Sequence, residues 1–186
     1  MKKLLAKAST TLLLAGFALQ AHAYDGTINF TGSVSNVTCT ITAAGGTNTG
    51  TVNMPTVTPG AFKAVGDSAG TTQFSIKLSG CTGTPAPTQA AAWFETGTNV
   101  NPAGRVIAKN AAAPLDTSLS IGIYNVGIAT PIAIGQGNGS IGSSGSAFTI
   151  TAGGATMNYQ AKYYAEQATV TPGAITGNVN YTIQYQ

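Results

Sequence analysis

ITGNVNYTIQYQ, residues 175–186, is the stretch that decides the fold class. Ile175, Gly177, Val179, Tyr181, Ile183 and Tyr185 fall on one side of an extended chain, and Thr176, Asn178, Asn180, Thr182, Gln184 and Gln186 on the other. A period of two is that of a strand with one apolar face. The same period recurs upstream. Phe74, Ile76 and Leu78 alternate with Gln73, Ser75 and Lys77, and Leu119, Ile121 and Ile123 with Ser120 and Gly122, each predicting a strand half in the core. Met157, Tyr159, Ala161, Tyr163 and Ala165 alternate with Asn158, Gln160, Lys162, Tyr164 and Glu166 over a longer strand. YDGTINFTGSV, residues 24–34, repeats the pattern near the N-terminus.

Between these segments lie clusters of Gly, Pro, Asn, Ser and Thr, and no segment sustains a 3.6-residue apolar period. TGTPAPTQAAA (82–92) and GQGNGSIGSSG (135–145) read as loops inside one domain. The chain is therefore expected to be all-β, and short, evenly spaced strands without crossover helices fit a sandwich rather than a doubly wound sheet.

The first 23 residues stand apart. Lys2, Lys3 and Lys7, the short apolar run from Leu12 to Leu19, and the small-x-small site Ala21-His22-Ala23 form a secretory signal peptide pattern. The run is too short to span a bilayer. Cleavage before Tyr24 leaves 163 of the 186 residues, enough for one domain with its own core. It also takes three of the eight basic residues and none of the five acidic ones, so the mature chain has balanced charge. No basic cluster remains to suggest nucleic acid or an anionic membrane. Cys39 and Cys81 are the only cysteines, and an even pair in an exported chain most simply forms one disulfide.

Little in the sequence points to catalysis or cofactors. The sole histidine, His22, leaves with the leader, which removes the common triads and any histidine-bearing metal set. Asp25, Asp67, Glu95, Asp116 and Glu166 are scattered singly and are expected to be solvated surface charges. Ser and Thr are better read as strand faces and turns than as nucleophiles without a base. GNGSIG (137–142) matches G-x-G-x-x-G but no amphipathic helix follows it. Trp93 and Phe94 could stack a sugar, although an aromatic pair bounded by turns more often packs within the fold.

Strictly alternating strands stand at both chain termini, and an extended segment of this kind can add to the exposed sheet edge of a partner. In this setting the leader GTINFTGSVSNVTC, the second cysteine in LSGCTG, the segment MNYQAKYYAEQ and the ending NVNYTIQYQ acquire a meaning. In order and spacing they resemble the pilins of chaperone-usher fimbriae, closely the major subunits of type 1-like fimbriae, over the whole mature chain. Gly173, fourteenth from the C-terminus, falls where such pilins commonly carry a glycine.

The resemblance implies an incomplete immunoglobulin-like sandwich, the pilin fold, that lacks its seventh strand. Residues 1–23 would be the signal peptide, 24–34 an N-terminal donor strand and 35–186 the pilin domain. Gly26, Ile28, Phe30, Gly32 and Val34 would enter a groove in a neighbouring subunit. Gly173, Val179, Tyr181, Ile183 and Tyr185 would border this chain's own groove, filled first by a periplasmic chaperone. Assembly at an outer-membrane usher would yield a surface homopolymer, with neighbouring pilin subunits as partners and no cofactor. The readings set beside this one are a minor adaptor or terminator subunit and a secreted monomeric sugar-binding sandwich using Trp93.

Overall fold

The computed structural model describes residues 25–136, 141 and 146–186. The expected signal peptide, Tyr24 and, apart from Ile141, the GNGSIG motif (137–142) lie outside the described residues. The chain divides into two units, Met1–Ser33 and Val34–Gln186. In the first, residues 25–33 are exposed and carry no ladder.

The second unit is all-β among the described residues, apart from one 3-10 turn at Pro59–Ala61. Its strands are β1 (Thr38–Ala43), β2 (Ser68–Thr82), β3 (Gln89–Phe94), β4 (Val106–Ile107) and β5 (Lys109–Asn110). They continue with β6 (Leu119–Asn125), β7 (Phe148–Thr149), β8 (Ala155–Ala165), β9 (Ile175–Thr176) and β10 (Tyr181–Tyr185). One sheet has the order β1-β2-β8-β6-β4, a second β10-β3-β7, and β5 pairs with β9 in a small ribbon. All pairings are antiparallel. Alternation therefore shows clearly: Met157, Tyr159, Ala161 and Ala165 of β8 are buried while Thr156 and Asn158 are exposed.

The core joins the two larger sheets. Ile76, Leu78, Ile123, Met157 and Tyr159 come from one, and Ala90, Ala92 and Phe94 from the other. The alanines of β3 leave room for a large ring opposite, and Tyr159 fills it. Phe74, Phe94 and Phe148 stand around it at ring-centroid distances of 5.6, 5.4 and 5.7 Å. The Ala92 N–H donates to the Tyr159 hydroxyl at 3.3 Å, and burial pushes the phenol up to about 12.

Two bulges shape β2. Gly70 and Thr71 together face one residue of β8, and Gly80 and Cys81 together face Cys39 of β1. Gly70 at φ 70° and Gly80 at φ 60° occupy the left-handed region that only glycine enters without strain. The second bulge brings Cys39 and Cys81 together as a disulfide with Cα atoms 4.1 Å apart, which pins β1 in register on β2. Phe94 joins the core, and the Trp93 indole N–H donates to Glu95 at 3.2 Å.

Three sequence expectations change. First, residues 175–186 do not form one strand: Ile175–Thr176 pairs with β5 and Tyr181–Tyr185 with β3, leaving Gly177–Asn180 unpaired in any ladder. Second, β6 is covered on both faces rather than one. Ser120 is 1% exposed, and the Tyr124 ring lies over Gly122. Third, Glu166 is no solvated surface charge. It accepts from Arg105 Nε and Nη2 at 2.7 Å each, from Asn101 Nδ2 at 2.8 Å and from Ser120 Oγ at 2.6 Å. Asp67 and Asp116 also accept local hydrogen bonds, from the Lys63 and Ala64 amides and from Ser118 respectively, and so fix turns.

Candidate functional site: an open side of the sandwich

β1 ends one sheet and β10 ends the other, so on this side of the sandwich each presents an edge without a partner strand among the described residues. A row of unpaired N–H and C=O groups is a template for another strand. Between the edges lies a cavity of about 700 Å³. Its floor is apolar, made of Phe74, Ile76, Ile121, Ile123 and Phe94, side chains that belong to or pack on the main core.

Two extended segments wall the cavity. One follows β1: Thr51, Val52 and Met54 line it, with Val52 and Met54 half-buried and Thr51 and Asn53 exposed. The residues alternate as a strand does, yet they are in no ladder, and Pro55 offers no N–H to one. The other wall is Gly177–Asn180 running into β10. Asn180 O accepts from the Glu95 N–H at 2.8 Å, which ties that wall to β3 and leaves its opposite edge toward the cavity. Gly177 lies close on the Ile107 carbonyl and the side chains of Val106 and Ile121.

No lining residue carries a formal charge, and the one titratable group, the Tyr181 phenol, is pushed up by burial. The site therefore offers apolar contact and main-chain hydrogen bonds, with no group poised for proton transfer near neutral pH. Among the described residues, no cluster of three or more His, Cys, Asp or Glu could hold a metal. No helix there is long and apolar enough to cross a membrane.

Of the residues singled out from sequence, Val179 and Tyr181 line the cavity, and Ile183 and Tyr185 pack beside it on the core from β10. Gly173 is not with them. It sits before β9 against the Asn110 amide, where a Cβ would collide, while Asn110 Nδ2 donates to Thr171 O at 3.0 Å. In the N-terminal unit and at its boundary, Ile28, Phe30 and Val34 are 80, 90 and 103% exposed. Gly26 and Gly32 have open space where a side chain would stand. Sequence reasoning missed the Thr51–Met54 wall and the cavity floor. The alternation of Val52 and Met54 was the available signal for the first, whereas the floor is assembled from strands far apart in sequence.

Comparison with known proteins bears on this architecture. The family described as Fimbrial protein matches residues 28–186. The chain belongs to the fimbrial protein family. This fimbrial protein is 38% identical over 175 residues to the major fimbrial subunit SMF-1 of Stenotrophomonas maltophilia (strain K279a), covering 93% of this chain and 99% of that one. To the F17 fimbrial protein of Escherichia coli it is 34% identical, covering 94 and 95% of the two chains. The crystal structure of the P pilus rod subunit PapA superposes with a TM-score of 0.51 at 20% identity, covering 86% of this chain and all of that one, which establishes the shared pilin fold. Fimbrial proteins are structural subunits of surface filaments, and this chain is one of them.

Proposed function

We propose that this fimbrial protein polymerises by strand donation, the cavity of one copy receiving the N-terminal extension of the next. The observation that carries the reading is the pairing of opposites in one chain: an uncharged, apolar-floored slot between two unpaired walls, and an alternating segment whose Ile28 and Phe30 are 80 and 90% exposed. Gly26, Ile28, Phe30, Gly32 and Val34 face into the slot, and Val179, Tyr181, Ile183 and Tyr185 border it, with Gly173 supporting the approach to β9. Burying Ile28, Phe30 and Val34 contributes roughly 1.5–3 kcal/mol each, and each ladder hydrogen bond adds about 0.5–1.5 kcal/mol. The ordering entropy of the donor strand, about 1–2 kcal/mol per residue, offsets much of this. A durable linkage therefore depends on completing the acceptor's own core.

In this reading residues 1–23 are a signal peptide removed on export, 24–34 the donor strand and 35–186 the pilin domain. A periplasmic chaperone covers the slot before assembly, and an outer-membrane usher hands subunits to the growing fibre. The chain is the major rod subunit, a role supported by near full-length similarity to a major fimbrial subunit. A head-to-tail contact that does not close on itself generates a filament.

Phe30→Asp tests the reading, since it places a charge in an apolar pocket. The variant is expected to accumulate as unpolymerised, export-competent subunit. A filament yield equal to that of the wild type, counted by negative-stain microscopy, would refute strand donation through this segment.

A further inference from the structure

The two walls of the cavity, neither of them in a ladder, are anchored to different sheets. The first leaves β1 through the turn at residues 43–50, which is fixed to the five-stranded sheet: the Ala44 N–H donates to Ser75 O at 2.9 Å. Inside the turn, the Ala43 N–H donates to Thr47 O at 2.7 Å and the Gly46 N–H to Ala43 O at 2.9 Å. The turn has little freedom, with Ala44 held at φ 46° and Gly50 packed against the Ala43 carbonyl. The second wall enters β10 at Tyr181, whose backbone is in register with Phe94 of the other sheet.

Among the described residues, one side-chain hydrogen bond joins the second wall, where it enters β10, to the turn from which the first wall leaves. The Tyr181 hydroxyl donates to the Asn48 carbonyl at 2.7 Å, and the tyrosine ring packs against the core while lining the cavity. An inserted strand would need one inter-strand spacing on each side, roughly 9.5 Å between the walls. A tyrosine side chain ending in one hydrogen bond spans a similar distance. Two partly apolar walls above an apolar floor would otherwise tend to draw together over the empty space.

We propose that Tyr181 is a positioning residue, a strut that holds the empty slot at the width of one strand and so speeds strand capture. This inference rests on the strand-acceptor reading. Because the strut acts on the empty slot, its loss should slow association and leave dissociation unchanged, since the inserted strand then sets the spacing itself.

The test is uptake of a fluorescent synthetic peptide, residues 25–37, in excess by the mature full-length chain, comparing wild type with Tyr181→Phe. Association is expected to slow about three- to tenfold, the ratio that corresponds to one net hydrogen bond, with dissociation unaltered. Replacing Tyr181 by 4-aminophenylalanine, which restores a donor at the ring tip, should return the rate to that of the wild type. Equal or faster association by Tyr181→Phe overturns the strut, as does faster dissociation, which would place the hydrogen bond in the complex. If Tyr181→Phe fails to fold, the aminophenylalanine chain decides alone: near wild-type association supports the strut, and slowed association overturns it. A wild-type chain that takes up no peptide overturns the strand-acceptor reading and the strut with it.

Discussion

Arg105 grips Glu166 with two hydrogen bonds of 2.7 Å, from Nε to Oε1 and from Nη2 to Oε2, across 61 residues of sequence. The pair is largely shielded, with side chains 13 and 21% exposed, and the guanidinium also lies 4.1 Å from the centre of the Tyr164 ring. A bidentate pair with further hydrogen bonds from Asn101 and Ser120 satisfies most of the carboxylate's acceptor positions. It fastens the loop after β8 to the loop before β4, two strands that flank β6 in the five-stranded sheet.

Glu166→Ala removes one partner and leaves Arg105 and Ser120 without their acceptor. A loss of roughly 1–3 kcal/mol is expected from the charge-assisted hydrogen bonds alone. Denaturant unfolding of the variant beside the wild type measures it, and a change within experimental error would show the network to be energetically idle.

The same pair sets an acid limit. The hydrogen bonds from Arg105 hold the Glu166 carboxyl below the usual glutamate range despite its burial. Hydrogen bonds from Ser118 do the same for Asp116 against the opposing effect of burial. A depressed folded-state value means that the stabilisation is present above the unfolded value, near 4, and is lost as pH falls through the folded one. Stability should therefore fall below about pH 4, and Glu166→Gln should flatten that decline. Thermal midpoints between neutral and strongly acid pH provide the check.

Replacing both Cys39 and Cys81 by Ser reopens a loop with a sequence separation of 42. In the chain-entropy model the loss is about 4 kcal/mol. The expected result is a sharp fall in subunit recovered after export, together with a lower urea midpoint. Unchanged recovery and midpoint would show that the β1–β2 ladder holds without the bridge.

Tyr159→Phe keeps the ring among Phe74, Phe94 and Phe148 but leaves the Ala92 N–H without its acceptor inside the core. A buried donor left unpaired costs about 1–3 kcal/mol. Unfolding free energy reports this directly, and a neutral or stabilised variant would mean that the hydroxyl is dispensable.

Gly32→Trp bears on the register of the donor strand. If Gly32 enters the slot of a neighbour, a bulky side chain should stop assembly while the variant subunit still folds, as judged by circular dichroism. Filaments of normal length and number would place Gly32 outside the slot.

The sequence by itself determined the period of two, and with it the all-β class, the inward faces of β2 and β8, the pairing of the two cysteines and the membership of the fimbrial family. These properties are local or compositional: each strand writes its apolar face into consecutive residues, and two cysteines in an exported chain allow one intramolecular bridge. Tertiary structure alone decided how strands are covered and joined. Ser120 looks like an outward residue until Glu166 and its partners close over it, and the single run from Ile175 to Tyr185 divides because β5 captures its first part and β3 its last. The floor of the cavity likewise gathers Phe74, Phe94, Ile121 and Ile123 from three strands, and the Tyr181–Asn48 contact spans 133 residues. Alternation says which side of a strand is apolar, but what lies against that side depends on residues brought together only when the sheets pack.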